Sequence, residues 1–337
     1  MLVDIANEQQ QAGNDVAILV INDSLDPGIV TRINKNICLL RLNRKNRSRN
    51  LLHVFKLFYI LNIRFRADVI HSHDPQLGFL LKLTSRIPAL LTIHGPAFDT
   101  SEMRFYKKLI AVSQSVRSDI ETRSTNKCEV IYNGVNSETI KHRDTHFLQK
   151  IINVILVGRL DHLVKGQDLA IEAVHCLVRD KQMKNLSLSL VGEGTSRKFL
   201  EELILNRNIA GNVVLLGNRD REWIYANLCR YDLLIQPSRL EGFGLTVAEA
   251  MAAKVPVIAT NIEGPAEILE NGRYGLLFEN NNALDLAAKI ENAIQLIENG
   301  QMIKMTEPAY RCILDNFSIA RTAKEYCSQY DRLYKSK

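Results

Sequence analysis

No two cysteines in this chain lie close enough in sequence to suggest a staple. The six, from Cys38 to Cys327, form no CxxC and none stands at zinc-ligand spacing from a histidine. That argues against a disulfide framework or a zinc ribbon and leaves reduced thiols in a cytoplasmic protein as the expectation. Proline and glycine are modest, at 8 and 17 of 337 residues, which excludes collagen-like and low-complexity classes. No run of about 18 uncharged apolar residues occurs, so no spanning helix is expected. The longest candidate, LLHVFKLFYILNI (51–63), is short and interrupted by Lys56. The opening MLVDIANEQQQ has neither the basic nor the apolar stretch of a signal peptide.

What is present is an ordinary globular composition, 46% hydrophobic and 24% charged, with the charge unevenly spread. Residues 1–150 hold 21 Lys+Arg against 14 Asp+Glu, while the remainder is nearly balanced. Much of the excess falls in RLNRKNRSRN (41–50), Arg64 and Arg66, around the apolar run 51–63. A basic segment beside an amphipathic one can hold a protein on an anionic membrane surface. A solvated basic face beside a buried helix is the other reading. Nucleic acid is not an expected partner, because the aromatics are not interleaved with the basic residues.

Short apolar runs alternate with helix-period segments. Strands are expected at 15–21, 68–73, 89–94, 108–113 and 129–134, then at 153–158, 186–192, 212–217, 232–238, 255–260 and 275–279. Helices such as 167–180, 195–207 and 284–299 lie between them. Strand–helix alternation with continuously apolar strands implies parallel sheets covered on both faces. The polar stretch 136–150 reads as a connection, giving an α/β chain of two doubly wound domains, 1–148 and 149–337. The helix at 318–335 could pack back on the first. A doubly wound domain usually opens with a strand. This chain opens in a helix, so the first strand of the N-terminal domain is expected to be missing.

In the second domain several strand ends carry suggestive residues. NVILVG leads into Gly158-Arg159 and, after a short loop, Lys165-Gly166. DLLIQPS leads into PSRLEGFGLTVAEA, with Glu241, Gly242, Phe243, Gly244, Leu245 and Glu249. Ligands of open α/β sheets sit beyond such strand ends. Two cations and a helix N-terminus from about Gly244 suit a diphosphate. Glu241 can accept from sugar hydroxyls and Glu249 from a ribose diol, while the glycines let backbone amides approach closely. A nucleotide-sugar is the ligand this layout fits.

EGFGLTVAE (241–249) resembles the E-x7-E signature of family-4 retaining glycosyltransferases, the group 1 glycosyl transferases of GT-B fold. VGRLDHLVKGQDLAIEA (157–173), LVGEG (190–194), YNGV (132–135) and PVIATNIEGPAEIL (256–269) are similar to its companion motifs in the same order. The resemblance implies two Rossmann-like domains facing a cleft. It implies Arg159 and Lys165 on the donor diphosphate and Glu241 on the transferred sugar, with the amides of Phe243 and Gly244 nearby. Leu245 would lie by the phosphate or ribose and Glu249 on the ribose. His94 would face the donor sugar, and the strand end VIHSHDP, with His71 and His73, would border the acceptor. His71 and His73 share one face of a strand, a spacing that could bind metal, but no third ligand is evident. No D-x-D pair occurs, so a cofactor-free, metal-independent transfer is expected. The acceptor would be a glycan or lipid-linked glycan of polysaccharide or lipopolysaccharide assembly, at the inner face of the cytoplasmic membrane. Two other readings remain: a sugar-nucleotide epimerase of the same fold, and a truncated, inactive nucleotide binder.

Overall fold

The structure, a computed structural model, describes residues 1–22, 25–44, 51–96, 99–143 and 150–335. The chain forms two compact units, Met1–Gly134 with Ser318–Lys337, and Val135–Phe317.

In the first unit, α1 (Leu2–Gln11) opens the chain and leads to β1 (Ala17–Asn22), α2 (Pro27–Val30) and β2 (Cys38–Arg44). Then come α3 (Leu52–Tyr59), extended by a wider turn at Ile60–Arg64, β3 (Ile70–Ser72) and α4 (Gly78–Thr84). β4 (Ala89–Ile93), β5 (Lys108–Ala111), α5 (Gln114–Arg123) and β6 (Cys128–Val130) complete the run. β2 was not expected. Its charged residues hide a period-2 pattern in which Leu40 and Leu42 are buried while Arg41 between them is exposed. The rest of the basic stretch, 45–50, lies outside the described residues.

All described pairings are parallel, but the unit holds two sheets, β1-β2 and β3-β4-β5-β6. A cavity of about 370 Å³ is lined by residues of α1, β1 and β3, among them Ile5, Ile18 and Ile70. β1 is a continuous apolar run, the pattern of a strand covered on all sides, yet it is only half-buried, whereas β4 is buried throughout. Among the described residues β1 pairs with β2 alone, so its other edge has no described strand neighbour to bury it. The core packs Ile5 of α1, Leu90, Ile110 and Ile131 against Tyr326 and Leu333 of the last helix.

The second unit runs β7 (Ile152–Val157), α6 (His162–Lys165), α7 (Gln167–His175), β8 (Leu186–Val191), α8 (Arg197–Asn206) and β9 (Val213–Gly217). It continues with α9 (Arg221–Asn227), β10 (Leu233–Gln236), α10 (Leu245–Ala252), β11 (Val257–Thr260), α11 (Glu263–Ile268), β12 (Leu276–Phe278), α12 (Ala283–Glu298) and α13 (Ile303–Asn316). The parallel sheet has the order β12-β11-β10-β7-β8-β9, so its winding reverses between β7 and β10. α14 (Ile319–Lys335) returns to the first unit, where Thr322 donates to the carbonyl of Tyr132 at 2.9 Å.

The boundary expected at 148/149 falls inside the second unit, because residues 135–143 are tied to it. Arg143 forms an ion pair with Asp232 at 2.6 Å, and both side chains are nearly inaccessible. The other Asp232 oxygen accepts from the amide of Asn153 at 2.8 Å. A buried charge is tolerated only when paired, and removing one partner strands the other. Arg143→Ala should therefore destabilise the second unit by about 3–5 kcal/mol, read as a lowered denaturant midpoint; a shift below about 1 kcal/mol would show that the pair holds nothing.

Candidate active site

The sheet reverses its winding between β7 and β10, and in sheets of this order the usual ligand position lies beyond the carboxyl ends of the two strands at the reversal. The residues that follow these two strands meet there. After β7 the chain makes the single turn α6, whose last residue is Lys165. Gly166 follows with φ +67, and a Cβ on it would come within 1.9 Å of the Pro237 carbonyl oxygen after β10. Only glycine permits both the left-handed backbone and that approach. The turn is clamped by Arg239, which donates to the His162 carbonyl at 2.5 Å and to both oxygens of Asp168 at 2.8 Å.

Held this way, the Lys165 ammonium lies 2.7 Å from the Glu241 carboxylate. The same Glu241 oxygen accepts from Gln236 at 3.2 Å. Gln236 also donates to Ser238 at 2.7 Å and accepts from Thr246 in the first turn of α10 at 2.7 Å. One network therefore joins the end of β10, the Glu241 loop and the start of α10. Gly244 caps that helix with φ +98, and no side chain caps it. Gly264 lets α11 close on the same loop, since a Cβ there would sit 2.7 Å from the Glu241 carbonyl oxygen.

The other expected residues fall nearby or apart. Glu249 lies in the second turn of α10 and is buried, accepting from the Tyr225 hydroxyl at 3.3 Å, with Arg221 4.0 Å away. Arg159 follows β7 after Gly158, but its side chain is 68% exposed and pairs with Asp161 at 2.9 Å. Gly158 carries the carbonyl against which Gly192 packs. The Phe243 ring is in the core, edge-on to Phe317 at 5.8 Å, so a ligand could meet only its backbone. Leu245 is the first residue of α10. Gln236, Arg239, Tyr225 and Arg221 had no assigned role. Gln236 ends an apolar strand run, and a polar residue closing such a run was the available signal.

His94 belongs to the first unit, at the end of β4, beside the strand end carrying His71 and His73. His73 Nδ1 lies 2.8 Å from His94 Nε2, and the rings of His71, His73 and His94 stack in series at 4.3 and 5.1 Å. His71 places its two nitrogens 2.6 Å from the Tyr330 hydroxyl and 2.7 Å from that of Thr92, so its duty is structural. Burial, followed by the neighbouring His94, pushes the His73 imidazole from 6.5 down to about 3. His71 is pushed well down by burial and then His73. His94 keeps an exposed edge, yet the protein packed around it still disfavours its charge.

Comparison with known proteins decides the family. The model for glycosyl transferases group 1 matches residues 137–307, and that for glycosyltransferase family 4 matches 1–139. The chain belongs to the group 1, family 4 glycosyltransferases. An uncharacterised glycosyltransferase of Methanocaldococcus jannaschii is 32% identical over 255 residues, covering 70% of this chain and 67% of that protein. The N-acetyl-alpha-D-glucosaminyl L-malate synthase of Bacillus anthracis is 28% identical over 300 residues, 80% of this chain and 75% of that one. Among solved structures, a glycosyltransferase of Rickettsia africae superposes with TM-score 0.81 at 23% identity, covering 99% and 94% of the two chains. Anabaena HepE in complex with UDP and glucose gives 0.81 at 20%, covering 98% and 95%. The α/β fold of this glycosyltransferase is thus the expected GT-B fold.

The histidine stack sets a pH dependence. Between about 3 and 6.5 the unfolded chain binds a proton at His73 that the folded protein refuses. This contribution to stability is complete above about 6.5 and is lost as the pH falls towards 3. Melting followed from neutral pH to pH 4 should show the midpoint drop, and His73→Asn should flatten that drop; an unchanged slope in the variant would exclude His73 as its source.

Proposed function

We propose that this glycosyltransferase moves a sugar from a nucleoside diphosphate donor to an acceptor hydroxyl with retention of anomeric configuration. One observation carries the reading: Lys165 and Glu241, delivered by two different strand ends, meet at the sheet reversal beside the start of α10. A cation and a helix N-terminus suit the diphosphate, which becomes more negative as it leaves. Arg159, on its short tether after β7, is the second cation. Glu241 accepts from hydroxyls of the transferred sugar, and Glu249, held by Tyr225, accepts from the ribose diol. The family resemblance assigns His94 to the donor sugar, and burial disfavours its charge, so in that role it would hydrogen-bond without repelling the developing positive charge at the anomeric carbon.

The anomeric carbon–phosphate oxygen bond breaks while the acceptor oxygen bonds to that carbon on the same face. The acceptor proton passes to the departing phosphate oxygen. Neither glutamate becomes covalently attached to the sugar. Lys165, Arg159 and the α10 end supply the positive potential for departure, so the transfer is proposed to proceed without a divalent cation. The acceptor is a glycan or lipid-linked glycan of polysaccharide or lipopolysaccharide assembly, met at the inner face of the cytoplasmic membrane. This class is supported by the family, the basic first unit, and a relative named poly(ribitol-phosphate) alpha-N-acetylglucosaminyltransferase from Staphylococcus aureus, 31% identical over 194 residues covering 57% of this chain and 37% of that one.

Thermal shift against a panel of nucleoside diphosphate sugars identifies the donor, and nucleotide release then measures turnover. Glu241→Ala and Lys165→Ala should each lower turnover by at least about a hundredfold, a loss of about 2.7 kcal/mol of transition-state stabilisation, with the circular dichroism spectrum unchanged. Near wild-type release in either variant would falsify the assignment.

A further inference from the structure

Helix α3 is apolar on both sides. Leu57, Ile60 and Leu61 face inward and are buried. Leu52, Phe55, Tyr59 and Ile63 recur at i, i+3, i+7 and i+11, which makes one outward stripe along α3 and its wider last turn. Asn62 donates to the Thr84 carbonyl at 3.0 Å and ties this element to α4, which adds Phe79 and Leu83 one turn apart. These six side chains are between 51% and 71% exposed. A helix in a soluble core normally turns a polar face outward, and a contiguous exposed apolar patch marks an interaction surface.

The charge around the stripe has one sign. Residues 51–67 and 75–96 contain no Asp or Glu, but contain Lys56, Arg64, Arg66, Lys82 and Arg86, all exposed. The nearest acids fall outside these segments: Asp68 and Asp74 flank β3, and Glu102 accepts from the amide of Phe79 at 3.1 Å. Among the described residues no helix is long and apolar enough to cross a membrane. Aromatic and aliphatic side chains on one face, rimmed by cations, form the pattern of a segment lying in the headgroup layer of an anionic bilayer.

We infer that the outward face of α3 and α4 is a docking surface for an anionic lipid bilayer. The apolar stripe enters the boundary between headgroups and acyl chains, and Arg64, Lys82 and Arg86 meet the lipid phosphates, while the Lys56 ammonium donates to the Leu42 carbonyl of β2 at 3.1 Å. The inference deepens the proposal of a membrane-presented acceptor, but vesicle binding is measured with no donor and no turnover, so its failure and the failure of the transfer reading are distinguishable.

The test is flotation of the full chain with vesicles of equimolar phosphatidylcholine and phosphatidylglycerol, against phosphatidylcholine alone. Protein should float with the anionic vesicles, weakly with the zwitterionic ones, and less as salt is raised. Leu52→Ser/Phe55→Ser should reduce partition by roughly tenfold or more, and Lys82→Gln/Arg86→Gln should remove most of the preference for anionic lipid. All four side chains are exposed, so both variants should keep wild-type melting. Wild-type protein that stays unbound with anionic vesicles overturns the inference, as does Leu52→Ser/Phe55→Ser floating like wild type. A dimer in light scattering that this double substitution breaks into monomers would assign the stripe to a second copy and overturn it as well.

Discussion

The second unit is organised around a contact between Lys165 and Glu241, two side chains of opposite charge that sit 76 positions apart. They meet because the sheet reverses its winding between β7 and β10, which places two strands from different parts of the sequence side by side. The contact also needs Gly166, which lets the turn after β7 touch the Pro237 carbonyl, and Arg239, which fastens that turn through Asp168. The partly buried cation is tolerated because a carboxylate faces it, and that carboxylate is in turn held by Gln236. In the proposed transfer, a donor phosphate that draws on Lys165 would compete with Glu241 for it, coupling the grip on phosphate to the freedom of that carboxylate.

The first unit solves a different problem. Its strand end VIHSHDP brings imidazoles together with two tyrosines of α14, and burial keeps them neutral. Tyr326 and Tyr330 thus do more than fill the core: their hydroxyls satisfy Thr92 and His71. The last helix, far away in sequence, supplies the partners that let a polar strand end be buried. In the same unit the described parallel strands fall into two sheets, and β1, paired with β2 on one edge, stays half-covered.

Much was legible before any coordinates. Strand–helix alternation indicated parallel sheets, and the order of strand-end motifs placed Arg159, Lys165, Glu241 and Glu249 on neighbouring elements. β2 was not legible, because Arg41 and Arg44 made a half-buried edge segment look like a solvated basic stretch. The affiliation of 135–143 was hidden for a similar reason. Arg143 reads as one more surface charge until Asp232 is seen against it.

The sequence by itself determined the class of fold, the family and the identity of the charged groups at the strand ends, because these follow from local periodicity and from motifs a few residues long. Only the tertiary structure decided which groups touch. It paired Arg159 with Asp161, turned the Phe243 ring into the core, gave Glu249 to Tyr225, and left one face of α3 and α4 uncovered. Those outcomes depend on packing between segments distant in the chain, and no local pattern records which neighbour a side chain will meet.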